Sequence, residues 1–363
     1  YNQVSREIMY SWVNRHLNLD LPEPVVEKPF VPIPPAELSV FDAEHRRPDG
    51  VVDAAGLRKL LSEASDRQIA ALAPRDAVSL AEHRRVVGTA LRAILKSSVP
   101  CAGEVEARVE AAREVKLRDV LYREEKLILT RTGTAEAVPA LYVEPEGWKG
   151  TVVVAVSPAG KDGLFSAGEK DGLGGAAEAL LEKGAALLAP DVFLTGDLVP
   201  PGPNKGFPVD PRRHGDYAGY TFGYNRAPLA NRAHDVLTAV GHARARPGTH
   251  TVHLLGEGEG GLWAILARGL AGDAVRRTLV DRPALDFTGV KDVNDLRFLP
   301  GGVKYGGWGA FAALAAPEPM LLRGEGPVPP ILEAAYAAAG VASRLRQEPG
   351  DAPLAKRVLW LLE

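Results

Sequence analysis

The stretch HLLGEGEGGLWAILARGL, residues 253–270, decides the fold. It begins as a short apolar run, passes through a turn of alternating glycines, and continues as an apolar segment long enough for a helix. A buried strand that turns directly into a helix is the repeating unit of a parallel sheet covered by helices on both faces. The sequence therefore predicts an α/β protein built around this turn.

Further apolar and periodic segments extend this pattern along the chain. Besides 251–256, strands are predicted over residues 115–122, 126–132, 138–145, 151–158, 185–191, 276–281, 319–324 and 343–349. Helices are predicted over residues 174–184, 224–246, 260–271, 306–315, 329–339 and 353–362. Because strands and helices alternate from residue 151 onward, the sheet is predicted to be mainly parallel.

The first 114 residues have a different character. Residues 3–17 predict an amphipathic helix, since apolar side chains recur there every fourth residue. The many prolines after it predict a stiff linker. The next segment is predicted to be helical, with a third, short and charged helix over 104–114. The predicted boundaries are 1–20 for the first helix, 21–52 for the linker, 53–114 for the helical segment and 115–363 for the α/β domain.

Composition excludes several classes of function. The 363 residues are 46% hydrophobic and 25% charged, which is ordinary for a globular protein with a real core. The net charge of −3 gives no electrostatic case for nucleic acid or for an anionic membrane surface, and neither is predicted as a partner. The single cysteine, Cys101, excludes an internal disulfide and is predicted to be an inert core thiol. No cofactor and no metal site is predicted.

Three interpretations of the glycine turn compete. Gly256, Gly258 and Gly261 match the spacing of a dinucleotide-binding loop, with Asp281 at the end of the next strand. The frame Gly256-Glu257-Gly258-Glu259-Gly260 matches the nucleophile elbow Gly-x-Ser-x-Gly, in which the nucleophile occupies the central position. Alternatively, the glycines only allow a helix to pack closely on a strand.

Strand order favours the second interpretation, and residues 115–363 resemble the α/β-hydrolase fold. More closely, they resemble acetyl-xylan-esterase-like and dienelactone-hydrolase-like proteins. The resemblance rests on VVVAVSPAGKDG (152–163), ALLAPDVFLTGD (186–197), GYNRAPLANRAHDVLTAV (223–240), LLGEGEGGLWAILA (254–267), FLPGGVKYGG (298–307) and PEPMLLRG (317–324). It implies a mainly parallel sheet with helices on both faces, and an esterase-type active site.

The resemblance also shows what is missing. An active member needs serine, acid and histidine in that chain order. Here the nucleophile position is Gly258, and none of the eight histidines lies beyond His253. Glu325 and Asp351 are the candidate acids, on the turns after the last two predicted strands. An oxyanion hole could still be built from backbone N–H groups, and the candidates are those near Gly160 or Lys161 and at Glu259.

Other residues are candidates for binding, and each has a plainer structural explanation. The carboxylates of Glu257 and Glu259 could act as an acid–base pair or could simply be solvated at the start of a helix. The remaining binding candidates lie on the predicted oxyanion loop, around the long predicted helix, or on a glycine-rich loop, where they could equally well be surface or packing residues. They are Gly160, Lys161, Asp162, Tyr224, Arg226, Lys304 and Tyr305.

The first residues suggest a partner. YNQVSREIMYSWVNRHLNLDLPEP (1–24) resembles the closing helix of another hydrolase domain, which implies a preceding hydrolase domain in the same longer chain or as a separate fragment. The chain is then expected to be a non-catalytic accessory module of a carbohydrate esterase. Acetylated polysaccharide is the second expected partner. Two alternatives remain: an active carboxylic-ester hydrolase that uses carboxylates near the elbow, and a carbohydrate- or partner-binding module. Export is suggested by the resemblance alone.

Overall fold

The computed structural model describes residues 1–117, 120–165, 173–199, 218–282, 287–351 and 353–363. The chain divides into two compact units, Tyr1–Lys59 and Leu60–Glu363.

The first unit contains helix α1, Gln3–His16, which confirms the helix predicted over 3–17. The side chain of Asn2 caps its first turn by accepting the N–H of Ser5. Near its end, Asn14 binds the backbone of the following segment in both directions, through the N–H and the carbonyl of Leu21. The chain after α1 is therefore fastened to the helix by polar contacts.

The apolar stripe of α1 faces solvent within this unit. Val4, Ile8 and Trp12 are 64%, 67% and 60% exposed. The proline-containing segment after α1 also exposes large apolar side chains, among them Phe30 and Val31. A helix normally turns such a stripe toward a core, so this unit holds an apolar surface that its own residues do not cover.

Nine strands of the described residues form a single sheet in the second unit, in the order β1-β2-β3-β5-β4-β6-β7-β8-β9. Their bounds are β1 Val105–Leu117, β2 Val120–Arg131, β3 Val138–Pro145, β4 Thr151–Val156, β5 Ala186–Pro190, β6 Thr251–Gly256, β7 Thr278–Asp281, β8 Met320–Arg323 and β9 Leu345–Glu348. From β5 across to β9 all pairings are parallel, whereas β1, β2 and β3 pair with antiparallel neighbours.

Helices cover both faces of this sheet. The described α-helices after α1 are α2 Ala54–Ala71, which crosses the boundary between the units and has no buried residue, α3 Ala77–Leu95, α4 Leu173–Glu182, α5 Ala218–Tyr224, α6 Pro228–Ala245, α7 Gly260–Ala271, α8 Gly307–Ala313, α9 Pro330–Ala338 and α10 Leu354–Arg357. One core joins α3, α6, α7, α8 and α9 to the sheet, and a second joins α4 and the last residues of the chain to its other face. The predicted α/β architecture is confirmed.

The strands buried on both faces explain why the sheet recruits helices. Val152 to Val156 of β4 are almost wholly inaccessible, and so are the residues of β5. A strand with apolar side chains on both faces is stable only when both faces are covered. This burial fixes β4 and β6 at the centre of the sheet, and the loops after them lie at its carboxyl edge.

Three predictions are wrong. The charged segment 104–114 is not a helix but most of β1, because pairing with β2 along its length outweighs its helical composition. Its alternating charges suit an exposed edge strand, which they protect from pairing with other chains. The single strand predicted over 115–122 is instead the end of β1 and the beginning of β2. The helix predicted over 224–246 is present as α6, which begins four residues later because Pro228 is its first residue. Cys101 is exposed and is not a core thiol.

Among the described residues, no helix combines the length and the apolar character needed to cross a membrane. Nor does that part of the chain bring three His, Cys, Asp or Glu side chains together in a group that could hold a metal ion.

Candidate active site

The glycine turn joins β6 to α7 at the carboxyl edge of the sheet. Gly258 occupies its centre, is exposed, and has a φ of +55°, in the left-handed region that favours glycine. The preceding Glu257 donates its N–H to the carbonyl of Val156 on β4. A sharp strand-to-helix turn with an exposed central residue is the geometry of a nucleophile elbow.

The glycines on either side of the centre are required by close packing. A Cβ on Gly261 would lie 2.0 Å from the carbonyl oxygen of Asp281, and one on Gly260 would lie 2.5 Å from that of Val156. At Gly256 the nearest atom would be the carbonyl oxygen of Gly260, at 2.7 Å. The packing interpretation therefore explains these three glycines.

Gly258 is different, because nothing around it requires glycine for reasons of space. An added Cβ would meet only the ring of Pro158, at an ordinary contact distance of 3.7 Å. The position where an esterase would carry its serine is thus open and lacks a side chain. A dinucleotide loop, by contrast, belongs to the first strand of its βαβ unit, whereas this turn follows β6.

A half-buried ion pair at the ends of two neighbouring strands supports the elbow. Asp281, the last residue of β7, accepts the N–H of Gly258 at 2.7 Å. The same carboxylate accepts two hydrogen bonds from the guanidinium of Arg323, at the end of β8. Asp281 therefore holds the turn in place. In the sequence, Asp281 stands out as a carboxylate directly after the apolar residues of a predicted strand.

The two candidate acids lie on exposed loops at the same edge of the sheet. Glu325 follows β8, and its backbone carbonyl accepts a hydrogen bond from Arg282. Asp351 follows β9 and is also exposed. Of the two glutamates in the elbow, Glu259 is exposed and Glu257 is half-buried. Whether any of these carboxylates takes part in chemistry stays a prediction.

The predicted oxyanion loop is occupied by an internal carboxylate. Asp191, fully buried after β5, accepts the Lys161 N–H at 2.8 Å and the Lys161 ammonium at 2.5 Å. The N–H of Asp197 is a third donor to it. The neighbouring Gly160 donates its N–H to the carbonyl of Ser157. Both loop N–H groups proposed for an oxyanion therefore already have acceptors.

Lys161 is a buried cation between two carboxylates. Burial disfavours its charge, but hydrogen bonds to Asp191 and Asp197 hold its pKa above the ordinary value. An added Cβ on Gly160 would lie 2.2 Å from the Asp191 carboxylate, so the loop also needs glycine for the close approach. Asp162, the residue after Lys161 in the same loop, is exposed.

The other binding candidates lie in separate places. Tyr224, at the end of α5, is 81% exposed. Arg226 forms an ion pair with Glu136 on the loop between β2 and β3. Lys304 and Tyr305 lie on the loop before α8, with the ammonium 5.9 Å from the ring centre. These residues share no hydrogen bond or ring contact with the elbow in the part of the chain that the structure describes.

Beside the elbow, α6 fastens the loop that follows β5. Asp235 accepts the N–H of Phe193 at 2.8 Å, and Arg232 donates to the carbonyl of the same residue at 3.0 Å. Burial raises the pKa of Asp235 to about 7, although the hydrogen bond from Phe193 opposes the shift. The folded protein therefore holds a proton on Asp235 that the unfolded chain loses near its ordinary pKa of 3.8.

Asp235→Asn is expected to stabilise the protein at pH 8 and to leave its stability almost unchanged at pH 4. The wild type loses stability as the pH rises from about 4 to about 7, because only its unfolded state releases this proton. The amide keeps an acceptor for Phe193 and does not titrate, so the gain should reach about 2–4 kcal/mol. Urea unfolding at both pH values measures it, and an equal effect at both would contradict the prediction.

Comparison with known proteins adds the fold class. No protein-family model and no curated protein sequence matches the chain. A solved structure assigned as an acetyl xylan esterase of Bacteroides fragilis superposes with a TM-score of 0.60 at 12% identity, over 85% of this chain and 83% of its own. A methylesterase superposes with a TM-score of 0.56 at 16% identity, over 82% and 67%.

The superpositions establish the fold, but at identities this low they leave the activity open. The chain has the α/β-hydrolase fold, as its resemblance to that fold implied. Within that fold, the two structural neighbours are both described as esterases.

Proposed function

We propose that this chain is an accessory module related to carbohydrate esterases and that its nucleophile elbow is non-catalytic, since the shape of the turn is kept but its chemistry is not. The observation that carries the proposal is Gly258. It lies at the exposed centre of an intact elbow, in left-handed backbone and with room for a side chain, yet it offers no nucleophile. Esterases among the structural neighbours support the relation.

The histidines support the same conclusion. The base of an elbow-type hydrolase follows the last strand, but no histidine occurs after His253 in the whole sequence. His253 itself lies within β6, where burial lowers its pKa to about 4. Burial lowers the pKa of His242 on α6 to about 4 as well. Both rings are therefore neutral near pH 7.

The exposed apolar stripe of α1 supports a partner. The closing segment of the second unit, Leu354–Leu362, buries a comparable set of apolar residues, including Val358 and Trp360, against α4 and the sheet. The stripe Val4, Ile8 and Trp12 has no such cover within its unit. We propose that a preceding hydrolase domain, in the same longer chain or as a separate fragment, supplies it. Acetylated polysaccharide is the proposed ligand of the pair.

Hydrolysis of 4-nitrophenyl acetate tests the proposal. The preparations are the chain alone, its Glu259→Gln variant, and a form with a hydrolase domain joined ahead of Tyr1. We expect no turnover through the elbow in the chain alone and turnover in the joined form. Glu259→Gln is the matched control, because it removes the exposed elbow carboxylate and keeps its shape. Turnover by the chain alone that disappears with Glu259→Gln would show an active carboxylate-based hydrolase instead.

A further inference from the structure

A second cluster of polar side chains involves none of the elbow residues. It lies where the end of α3, the loop between β2 and β3, and helix α6 meet. Ser97 Oγ is 2.8 Å from His234 Nδ1, and His234 Nε2 is 2.7 Å from Glu136 Oε2. The other oxygen of Glu136 accepts a hydrogen bond from Arg226 at 2.9 Å. Serine, histidine and glutamate thus form one continuous hydrogen-bonded chain.

The protonation states determine which group donates in each hydrogen bond of the Ser97–His234–Glu136 cluster. Burial opposes the charge on Glu136, but hydrogen bonds from Arg226 and His234 hold its pKa below the ordinary value. An ionised carboxylate only accepts, so His234 donates from Nε2 and its Nδ1 carries the lone pair. Ser97 therefore donates its hydroxyl proton to Nδ1. This is the arrangement in which a histidine can take the proton of a nucleophilic serine.

The surroundings hold the cluster in place and leave it open on one side. His234 and Ser97 are 3% and 9% exposed, and Arg131 donates to the backbone carbonyl of His234 and to the Thr238 hydroxyl. The cluster borders a cleft of about 440 Å³. The cationic side chains lining this cleft are Arg92, Lys96, Arg131 and Arg226. With Glu136 as the single carboxylate among the lining residues, the cleft is electrostatically suited to an anion.

We propose that Ser97, His234 and Glu136 form a nucleophilic acyl-transfer site for esters that carry a negative charge. Ser97 Oγ attacks the ester carbonyl carbon while its proton passes to His234 Nδ1. The bond to the alcohol oxygen then breaks, and the alcohol leaves with that proton. Water attacks the acylated serine by the same route, which releases the acid and restores the hydroxyl. The inference goes beyond the proposed function, since it uses none of the elbow.

The environment of His234 also sets the expected rate. Burial, followed by the neighbouring charge of Arg131, lowers its pKa to about 4. The ring is therefore neutral and able to accept a proton near neutral pH, but it is a weak base. We expect slow turnover, so covalent capture of the serine is the sharper readout.

The first experiment labels the wild-type chain with a fluorophosphonate and locates the adduct by peptide mass spectrometry. The expected result is an adduct on Ser97 in the folded protein and no adduct when the protein is denatured before the reagent is added. Because it uses the wild type, the result does not depend on how any variant folds. An unlabelled Ser97, or a label only elsewhere, would overturn the proposal and make the cluster a structural contact between α3 and α6.

The second experiment compares an anionic ester, 4-nitrophenyl hydrogen succinate, with neutral 4-nitrophenyl acetate. Ser97→Ala should lower hydrolysis of the anionic ester at least about a hundredfold, whereas Ser98→Ala, the matched neighbour, should not. Arg92→Ala should reduce the preference for the anionic ester. Equal rates for Ser97→Ala and wild type would contradict the proposal. Glu259→Gln should have no effect here, so failure of this site and failure of the proposed function are separable.

Discussion

Gly261→Ala should be the most damaging single-methyl change in the elbow. The new Cβ would lie 2.0 Å from the carbonyl oxygen of Asp281, and the backbone of β7 cannot move without breaking its pairing with β6 and β8. Overpacking against rigid backbone should cost about 3 kcal/mol or more in free energy of unfolding. Urea unfolding of the purified variant measures this loss.

Gly223→Ala is the matched control for that substitution. It adds the same methyl group to a helical glycine around which the structure shows open space. Its expected effect is neutral to slightly stabilising, because alanine favours the helix more than glycine does. Equal losses at both positions would show that close packing at the elbow is not the reason for Gly261.

Lys161→Met should also cause a large loss of stability. It removes the ammonium that lies 2.5 Å from Asp191, a carboxylate with no exposed surface. Leaving such a charge without its partner is expected to cost about 3–5 kcal/mol. The second carboxylate near the ammonium, Asp197, is largely exposed and should suffer little.

The double variant Lys161→Met/Asp191→Asn separates the loss of the pair from the loss of packing. Removing both charges should recover a substantial part of the stability, because no buried charge is left unpaired. Thermal and urea unfolding of the wild type, the two single variants and the double variant complete a double-mutant cycle. If the two single losses of stability add up to the loss in the double variant, Lys161 and Asp191 contribute to stability independently.

The sequence predicted best what burial on both faces determines. The strands 138–145 and 251–256 were predicted to the residue, the first from its β-branched and aromatic content and the second from its apolar run before the glycine turn. Val105–Leu117 was missed because its many charged residues suit a helix equally well, and only its pairing with β2 decides. The break between α5 and α6 has a local signal, since Pro228 is the first residue of α6.

The site was predictable only where it is local in the chain. The elbow-like turn and the glycine at its central position could be identified within five consecutive residues, 256–260. The Asp191 network and the Ser97–His234–Glu136 chain could not, because their members come from distant segments. Ser97 and His234 are 137 residues apart, and no spacing rule connects them. Only the meeting of α3 and α6 brings them together.

The left-handed backbone at Gly258 bears on how such a domain evolves. A serine in this conformation would hold strain of about 1–3 kcal/mol, a cost that selection tolerates in exchange for catalysis. Glycine adopts the conformation freely, so the present sequence avoids that cost. Regaining elbow chemistry would require the unfavourable serine together with a new histidine after β9, and neither change alone brings a benefit. Under the proposed function, the loss of elbow chemistry is therefore difficult to reverse by single steps.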